Sequence, residues 1–296
     1  MRIAVTGSRG FIGRRVVEAL LRRGVEVTSV ERRGRLSEPP VWRTRSAVDR
    51  RGVDLATDSG RIHEDCGSPD VLIHLAWGGL PNYCSTHHLE REFPLHARFL
   101  CGALQSGTRH VVATGTCFEY GLAEGCLEES TPTRPTTLYA EAKVRLHEEV
   151  DAVATAMGAA LTWLRPFYVY GPGQPPATLW GQLHAAIDRG DLDFPMSGGE
   201  QTRDYLHVNE MARLIAEIAI RAPSRTTTVN VCSGEPTRIR DLVDAWITET
   251  GSPIRPVPGA LPYSTTEPMH AYGSTARLNE LLEHSDLIGK RFPDHA

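Results

Sequence analysis

A glycine-punctuated segment near the start of the chain constrains the fold more than any other feature. Residues 2–6 form a short apolar run typical of a buried strand, and residues 7–13 read Gly-Ser-Arg-Gly-Phe-Ile-Gly. Residues 11–23 then repeat apolar positions at helical spacing, and residues 25–31 again resemble a strand. The order strand, loop, helix, strand predicts a parallel βαβ crossover, because parallel neighbours need a long connection.

The same alternation continues through the first half of the chain. Strands are predicted at 71–75, 110–113 and 160–164, and helices at 89–104 and 139–157. Repeated βα units of this kind predict an α/β fold with a doubly wound parallel sheet of the Rossmann type.

The glycine loop has the spacing of a dinucleotide-binding site. Gly7, Gly10 and Gly13 would let the backbone turn tightly and approach a pyrophosphate, which would rest on the N-terminus of the following helix. Three glycines in seven residues can also form an ordinary turn, but the position between a strand and a helix favours the binding site. Its other members would be Arg9, Phe11 and Ile12.

The end of the second strand bears on the choice between NAD and NADP. Glu31 lies there, and a carboxylate at this position accepts the ribose 2′-hydroxyl of NAD. Arg9, Arg32 and Arg33 are close by, and their guanidinium groups could bind the 2′-phosphate of NADP. We expect NADP to be preferred, with Glu31 turned aside. NAD, the use of both cofactors, and a purely solvated role for the arginines stay open.

Prolines break the alternation after residue 166, and shorter mixed segments follow. We expect residues 1–166 and 207–235 to form the dinucleotide-binding domain, because residues 230–232 resemble one more strand. Residues 167–206 and 236–296 are expected to form a smaller C-terminal substrate-binding lobe.

Composition and charge disfavour several other classes of protein. The formal net charge of -4 offers no general attraction to nucleic acid or to an anionic membrane surface. No apolar run approaches the roughly 20 residues that span a bilayer. The six cysteines form no CxxC pair and have no metal-type spacing. We therefore expect a reduced, cytoplasmic protein with no metal, nucleic-acid partner, membrane segment or signal peptide.

A tyrosine and a lysine four residues apart open the helix predicted at 139–157. Tyr139 and Lys143 would share one face of that helix, and a neighbouring ammonium would lower the pKa of the tyrosine phenol for proton exchange with an alcohol or ketone. The alternative is that Tyr139 and Lys143 are ordinary neighbours on the protein surface. Thr116 follows the strand 110–113 at its carboxyl end, where doubly wound sheets bind ligands, and this favours catalysis.

These segments together resemble the extended short-chain dehydrogenases/reductases of the NAD-dependent epimerase/dehydratase family, which act on nucleotide sugars. The resemblance runs through most of the chain. It rests on the glycine loop, Asp54-Leu55, His74-Leu75-Ala76, Thr116 with Tyr120-Gly121, Tyr139 with Lys143, Leu164-Arg165-Pro166, Tyr170-Gly171-Pro172, residues 203–208 and residues 233–236.

The resemblance implies a cofactor along the carboxyl ends of the strands. The expected contacts are Asp54 and Leu55 at the adenine, Leu75, Ala76 and Trp77 along its length, and Pro166 and Phe167 at the nicotinamide. For Trp77, a role in the core or in a lid is an equal alternative.

The resemblance also implies the catalytic and substrate contacts. Thr116 would hydrogen-bond the reacting oxygen, Tyr139 would donate or accept its proton, and Lys143 would also hold the nicotinamide ribose. Arg203 would meet the substrate diphosphate, with a surface salt bridge as the alternative. Further substrate contacts would be Cys117, Phe118 and Tyr168. A homodimer through the helices predicted at 89–104 and 139–157 is implied as well.

Three reactions of this family compete, namely 4,6-dehydration, epimerisation and simple keto reduction. Dehydratases carry an Asp-Glu pair directly after the catalytic threonine, whereas this chain has Cys117 and Phe118 there, and Glu119 would point elsewhere. Cys117 is also one residue from the cysteine of 3,5-epimerising reductases, so we expect a small buried residue at that position. What remains is a 4-ketoreductase or a 4-epimerase with retained NAD.

The arginines near the cofactor favour the reductase, and the chain resembles reductases of dTDP-4-keto-6-deoxysugars, of the 6-deoxytalose-forming type in particular. A non-catalytic NADP-sensing protein is a further alternative. Tyr168, residues 265–267 and residues 272–275 depart from the family where the nucleotide diphosphate is held. These departures leave open a substrate that carries a different nucleotide, or one that carries no nucleotide.

Overall fold

The fold is built on a central parallel sheet with helices on both faces. The computed structural model describes residues 1–39, 41–42, 48–56 and 60–282. In chain order the strands are β1 (Arg2–Thr6), β2 (Glu26–Glu31), β3 (Asp49–Gly52), β4 (Val71–His74), β5 (His110–Thr114), β6 (Gly125–Leu127), β7 (Ala160–Pro166), β8 (Tyr168–Tyr170), β9 (Asp193–Pro195), β10 (Thr202–His207), β11 (Thr227–Val231), β12 (Pro236–Arg238), β13 (Arg255–Val257) and β14 (Ala271–Gly273). The helices are α1 (Gly13–Arg22), α2 (Ile62–Asp65), α3 (Phe93–Gln105), α4 (Leu138–Ala156), α5 (Leu179–Arg189), α6 (Val208–Arg221), α7 (Ile239–Thr250) and α8 (Ala276–Leu282).

Seven parallel strands form the central sheet in the order β3-β2-β1-β4-β5-β7-β11. Val5 of β1 lies opposite Ser29 of β2 on one side and Ile73 of β4 on the other. The strand order reverses between β1 and β4, which opens a crevice at their carboxyl ends. The predicted doubly wound sheet of the Rossmann type is confirmed, and the strand predicted at 230–232 is found as the edge strand β11.

Each face of the sheet is covered by its own layer of helices. α1, α6 and α8 pack on one face, in a core that includes Val5 and Ile215. α3 and α4 pack together on the other face, in a core that includes Leu72 and Leu100. Strands that are buried on both faces read as continuous apolar runs, which is why these strands could be recognised in the sequence.

The helix predicted at 89–104 begins differently in the structure. A π-helical turn spans His88–Glu92, and the regular helix α3 starts only at Phe93. Pro94 occupies the first turn of α3, where a proline needs no N–H partner. Since Pro94 cannot donate a hydrogen bond to the preceding turn, a continuous α-helix through this segment is interrupted there.

Smaller sheets and two helices form a further layer beyond the central sheet. β8, β10 and β12 form one sheet, and β9 pairs with β13. α5 and α7 contribute to a core with Phe194 and Trp246. The division into two domains stays a prediction. Residues 283–296, which were assigned to the smaller lobe, lie outside the described residues. Within the segment assigned to the smaller lobe, however, Leu278 and Leu282 of α8 pack in the core of the central sheet.

Over the part of the chain that the structure describes, no helix combines the length and the apolar character needed to cross a membrane.

Candidate active site

The carboxyl ends of the central strands face a cavity of about 900 Å³. Most of the predicted site residues line it, namely Gly7, Gly10, Phe11, Ile12, Gly13, Leu75, Trp77, Thr116, Cys117, Phe118, Tyr139, Lys143, Pro166, Phe167, Tyr168 and Arg203. The predicted residues outside this lining are Arg9, Glu31, Arg32, Arg33, Asp54, Leu55 and Ala76. The cavity therefore brings the glycine loop, the catalytic candidates and the substrate candidates together.

The glycine loop is shaped as a close backbone approach to a ligand requires. Gly7 has a φ of +66°, and a Cβ added there would lie 2.7 Å from the backbone nitrogen of Ala76. A Cβ added at Gly13 would lie 2.1 Å from the carbonyl oxygen of Gly7. α1 begins at Gly13, so its N-terminal N–H groups and the positive end of its dipole are next to the loop. These features fit the pyrophosphate of a dinucleotide.

Thr116 is held at the end of β5 by a capping box. The Thr116 hydroxyl accepts a hydrogen bond from Phe118 N at 3.2 Å, and the Thr116 N–H donates to Glu119 Oε1 at 2.9 Å. A threonine with a glutamate three residues later is the sequence signature of this motif. The local sequence thus fixes the threonine side chain at the cavity wall.

Glu119 is turned into the protein and away from the cavity. Its carboxylate is fully buried, and it accepts hydrogen bonds from Trp163 Nε1 at 3.1 Å and from Arg165 Nε at 2.7 Å. Burial raises the pKa of Glu119, while the Arg165 guanidinium opposes that rise. This geometry agrees with the expectation that the Glu119 side chain points away from the reacting sugar.

Tyr139 lies in the first turn of α4, which begins where the Thr137 hydroxyl accepts from Ala140 N. Burial raises the pKa of the Tyr139 phenol above its usual value, and a hydrogen bond with Thr116 acts in the opposite direction. The expectation of a lowered pKa at Tyr139 is therefore wrong, because burial is the largest influence on it. Lys143 Nζ lies 5.9 Å from the centre of the Tyr139 ring.

Lys143 is buried against the indole ring of Trp77. Its Nζ lies 3.8 Å from the centre of that ring and donates a hydrogen bond to the Thr114 carbonyl at 2.8 Å. Behind it, Trp77 stacks on His96 with ring centres 4.7 Å apart. Burial lowers the pKa of Lys143 to about 7. Trp77 thus lines the cavity and contacts the candidate catalytic lysine.

A buried chain of histidines and one carboxylate supports Trp77, and the sequence analysis did not anticipate it. His74 Nε2 lies 2.8 Å from His96 Nδ1, and His96 Nε2 lies 3.1 Å from Glu92 Oε2. Glu92 also accepts from Gly78 N at 2.6 Å, and His87 Nε2 is 2.9 Å from its other oxygen. Burial alone would raise the pKa of Glu92, but hydrogen bonds from His96 and Gly78 bring it to about 2. The spacing of Glu92 and His96, four residues apart, was the available signal.

Arg203 is paired with a carboxylate at the substrate end of the cavity. The side chain of Arg203 is 5% exposed, and its Nε donates to Tyr168 Oη at 3.1 Å and to Glu267 Oε2 at 3.3 Å. Tyr168 Oη in turn donates to Glu267 at 2.5 Å. The arginine expected to meet a diphosphate is therefore already neutralised. The segment 265–267 stood out in the sequence, but Glu267 was not assigned a role there.

Cys117 differs from the expectation of a small buried residue, because it is partly exposed and lines the cavity. Its separation from bulk water raises the pKa of its thiol, and the carboxylate of Glu267 acts in the same direction. The group is therefore a neutral thiol and a poor nucleophile.

The expected adenosine end contains a network of arginines and carboxylates. The side chain of Glu31, 1% exposed, forms a bidentate pair with Arg50, at 2.7 Å from Nε and 2.9 Å from Nη2. That it turns aside from a bound cofactor stays a prediction. Arg9 lies 3.4 Å from the same carboxylate. Arg50 was missed because it lies on β3, 19 residues from Glu31. Arg32 and Arg33 are exposed.

The two residues expected at the adenine lie just after β3. Asp54 is exposed, and its carboxylate accepts a hydrogen bond from Ala56 N at 3.0 Å. Leu55 is partly buried and packs against the core beneath α3. Their contact with a cofactor stays a prediction.

Comparison with known proteins places this geometry in a family. Residues 3–232 match the model of the NAD dependent epimerase/dehydratase family. The chain is 28% identical over 275 residues to the dTDP-6-deoxy-L-talose 4-dehydrogenase (NAD(+)) of Aggregatibacter actinomycetemcomitans, covering 93% of this chain and 100% of that protein. It is 27% identical over 263 residues to the dTDP-6-deoxy-L-talose 4-dehydrogenase (NAD(P)(+)) of Kitasatospora kifunensis, covering 85% and 80%.

A solved structure agrees with the fold. The UDP-glucose-4-epimerase from Stenotrophomonas maltophila, determined with bound NAD and formylated UDP-arabinopyranose, superposes with a TM-score of 0.82 over 97% of this chain and 95% of that one, at 19% identity. The region matched by the family model spans most of the chain and includes the glycine loop, Thr116, Tyr139 and Lys143. The chain therefore belongs to the NAD dependent epimerase/dehydratase family.

Proposed function

We propose that this protein is an NAD(P)-dependent 4-ketoreductase that acts on a dTDP-linked 4-keto-6-deoxysugar. The observation that carries the proposal is the enclosed group of Thr116, Tyr139 and Lys143 at the cavity wall, from which the neighbouring carboxylate of Glu119 is turned away. The two dehydrogenases reported above, whose names place their reaction at C4 of dTDP-6-deoxy-L-talose, support the same assignment.

The residues of the cavity have separate tasks in this reaction. The bound nicotinamide cofactor supplies the hydride. As negative charge grows on the C4 oxygen, the Tyr139 phenol donates its proton to that oxygen and Thr116 donates a hydrogen bond. The raised pKa of Tyr139 keeps the phenol protonated until the reaction needs the proton. The Lys143 ammonium stabilises the tyrosinate that results, and the product carries a C4 hydroxyl.

The arrangement of the acids disfavours dehydration. Removal of water across C5 and C6 needs an acid and a base at the sugar, and in this chain the acid closest in sequence to Thr116 is bound to Arg165 inside the protein. A non-catalytic cofactor sensor is disfavoured because it has no need for Thr116, Tyr139 and Lys143 in one cavity. A 4-epimerase with retained NAD uses the same three residues and is separated from the reductase by experiment.

The cofactor and the assembly are part of the proposal. We propose a preference for NADP(H), which the guanidinium groups beside the glycine loop support. The names of the two relatives differ on this point, one carrying NAD(+) and the other NAD(P)(+). We also propose a homodimer through α3 and α4, which the molar mass in solution tests.

The decisive experiment follows the near-ultraviolet absorbance of the reduced nicotinamide. Purified protein is mixed with NADPH or NADH and freshly made dTDP-4-keto-6-deoxyglucose, alone or with a 3,5-epimerase. Stoichiometric oxidation of the cofactor, absent in Tyr139→Phe, is the expected result. Interconversion of intact nucleotide sugars with added NAD, without oxidation by any keto sugar, would instead identify a 4-epimerase.

A further inference from the structure

The carboxylate of Glu31 has no acceptor position left for a ribose hydroxyl. Its Oε1 accepts from Ser29 Oγ at 3.0 Å and from Arg50 Nε at 2.7 Å. Its Oε2 accepts from Arg50 Nη2 at 2.9 Å and from Arg9 Nη1 at 3.4 Å. A carboxylate offers about four lone-pair sites, and these four donors use them. A ribose diol could bind Glu31 only after one of the donors leaves.

Arg50 is held rigidly in this arrangement. Its Nη1 donates to the carbonyl of Leu36 at 3.1 Å, and its Nη2 also donates to the carbonyl of Arg35 at 3.0 Å. The residue lies on β3, directly opposite Ser29 of β2 in the sheet register. Its guanidinium is thus fixed by backbone groups as well as by Glu31, so little ordering remains to be done when a ligand binds.

The charges around this position favour an anion. Among the residues that the structure describes, three guanidinium groups, those of Arg9, Arg35 and Arg50, are paired with two carboxylates, those of Glu31 and Glu38. Arg9 and Arg50 keep 18% and 21% of their side-chain surface exposed, whereas Glu31 keeps 1%. The positive groups therefore face solvent and the neutralised carboxylate lies beneath them.

The cluster also adjoins the glycine loop. Arg9 belongs to the loop, and Ser8 Oγ lies 2.7 Å from Ser29 Oγ on β2. The end of the second strand beside such a loop is where the adenosine ribose of a dinucleotide lies. A phosphate on the ribose 2′-oxygen would add a further negative charge at this partly exposed pair of guanidinium groups.

We propose that Arg50 is a cofactor-selectivity residue of this protein. By binding Glu31 it removes the acceptor that would recognise the unmodified ribose of NAD(H), and together with Arg9 it forms the site for the 2′-phosphate of NADP(H). The inference rests on the proposed function only in that a nicotinamide dinucleotide binds at the glycine loop. Selectivity is then a property of the Glu31–Arg50 pair, and the identity of residue 31 alone does not determine it.

The test measures the dissociation constants of NADPH and NADH for the full-length protein without sugar substrate, by the fluorescence of the reduced cofactor. For Arg50→Gln we expect NADPH binding to weaken by about tenfold or more, since a charge-assisted pair is lost and the charge of Glu31 is restored. NADH binding should stay constant or tighten. For Glu31→Gln the selectivity should move the other way, because Arg9 and Arg50 are released toward the 2′-phosphate.

Two further variants separate selectivity from folding. Arg51→Gln is the matched control, since Arg51 is the next residue on β3 and pairs with Asp49 at 2.8 Å. It should leave the ratio of the two dissociation constants unchanged. Arg50→Lys keeps the charge without the bidentate geometry and should give an intermediate ratio.

Equal weakening of both cofactors by Arg50→Gln, or a ratio within about twofold of the parent, would overturn the proposal, because a purely structural arginine affects both cofactors alike. A competition experiment uses 2′,5′-ADP and AMP as probes that displace the reduced cofactor. We expect Arg50→Gln to weaken the binding of 2′,5′-ADP and to leave that of AMP unchanged. An inactive enzyme that still shows these binding constants would refute the proposed reaction and leave this inference standing.

Discussion

Two arginine–glutamate pairs lie near the cavity, one buried behind its wall and one on the wall itself, and their surroundings differ. Behind the catalytic residues, the Arg165 and Glu119 side chains are 5% and 0% exposed and pair at 2.7 Å. At the substrate end, the Arg203 and Glu267 side chains are 5% and 29% exposed and pair at 3.3 Å.

The closed pair supports Thr116 through the backbone, because Glu119 accepts from the Thr116 N–H. The open pair faces the cavity itself. The same two residue types therefore support the scaffold in one pair and line the cavity in the other. Changes at the catalytic end should affect turnover and stability, whereas changes at the substrate end should affect affinity.

Tyr139→Phe should have the largest effect and tests the catalytic end directly. Removing the phenol removes the proton donor, so kcat should fall by about 10²–10⁴-fold, the usual contribution of a general acid. Binding of the reduced cofactor, measured by fluorescence, should stay unchanged. Tyr170→Phe is the matched control, since Tyr170 is also buried but packs with Trp246 in another core. Near-full activity of Tyr139→Phe would contradict the assigned role.

Glu119→Ala should cost the most stability. It leaves the buried guanidinium of Arg165 without its carboxylate, and breaking a buried pair in this way costs about 3–5 kcal/mol. The free energy of unfolding from denaturant titration measures the loss. Glu267→Ala is the comparison at the open pair and should cost less, about 1 kcal/mol or below, because solvent screens a partly exposed pair. Equal losses for the two variants would remove the distinction between the pairs.

Glu267→Gln should strengthen substrate binding. It removes a negative charge that faces the expected diphosphate and releases Arg203, so we expect the dissociation constant of the dTDP-sugar to fall by about tenfold, with kcat little changed. Isothermal titration calorimetry measures the effect. Glu200→Gln is a suitable control, because Glu200 is an exposed carboxylate that pairs with Arg240 instead. Weaker binding by Glu267→Gln would mean that Glu267 contacts the sugar itself.

The two pairs also explain which parts of the site the sequence could predict. The catalytic end is encoded locally, because Thr116 and Glu119 form a capping box and Tyr139 lies one turn from Lys143 on one helix. Such contacts follow from helix and turn geometry alone. The fold was predictable for the same reason, since the strands and helices are set by short-range periodicity.

The substrate end is encoded by contacts between distant segments. Arg203 and Glu267 are 64 residues apart, and the pairing of β10 with the segment that precedes β14 brings them together. The helical spacing of Tyr139 and Lys143 also did not predict the direction in which the lysine side chain points. Lys143 shares a helix face with Tyr139, but its ammonium turns to the Thr114 carbonyl and the Trp77 ring, because burial favours the nearest acceptor and π-face.

The smallest expected effect concerns the contact between Lys143 and Trp77, and it is a shift in pH dependence. Burial lowers the pKa of Lys143 to about 7, so the ammonium is present below that pH and is lost as the pH rises through it. Because the ammonium stabilises the tyrosinate, kcat/KM should be highest on the acidic side and fall above about pH 7.

The Trp77 ring, 3.8 Å from Nζ, stabilises the charged form by about 0.5–2 kcal/mol. Trp77→Leu should therefore move the descending limb of the kcat/KM profile to lower pH by about 0.4–1.5 units, and Trp77→Phe, which keeps a ring, by less. Trp180→Phe changes a tryptophan at another part of the cavity wall and should leave the limb in place. A shift of the limb to higher pH in Trp77→Leu would contradict the stabilising role of the ring. Such a shift would mean that the ring acts on Lys143 mainly by excluding water. Burial, with no contribution from the π-face, would then determine the charge of the lysine.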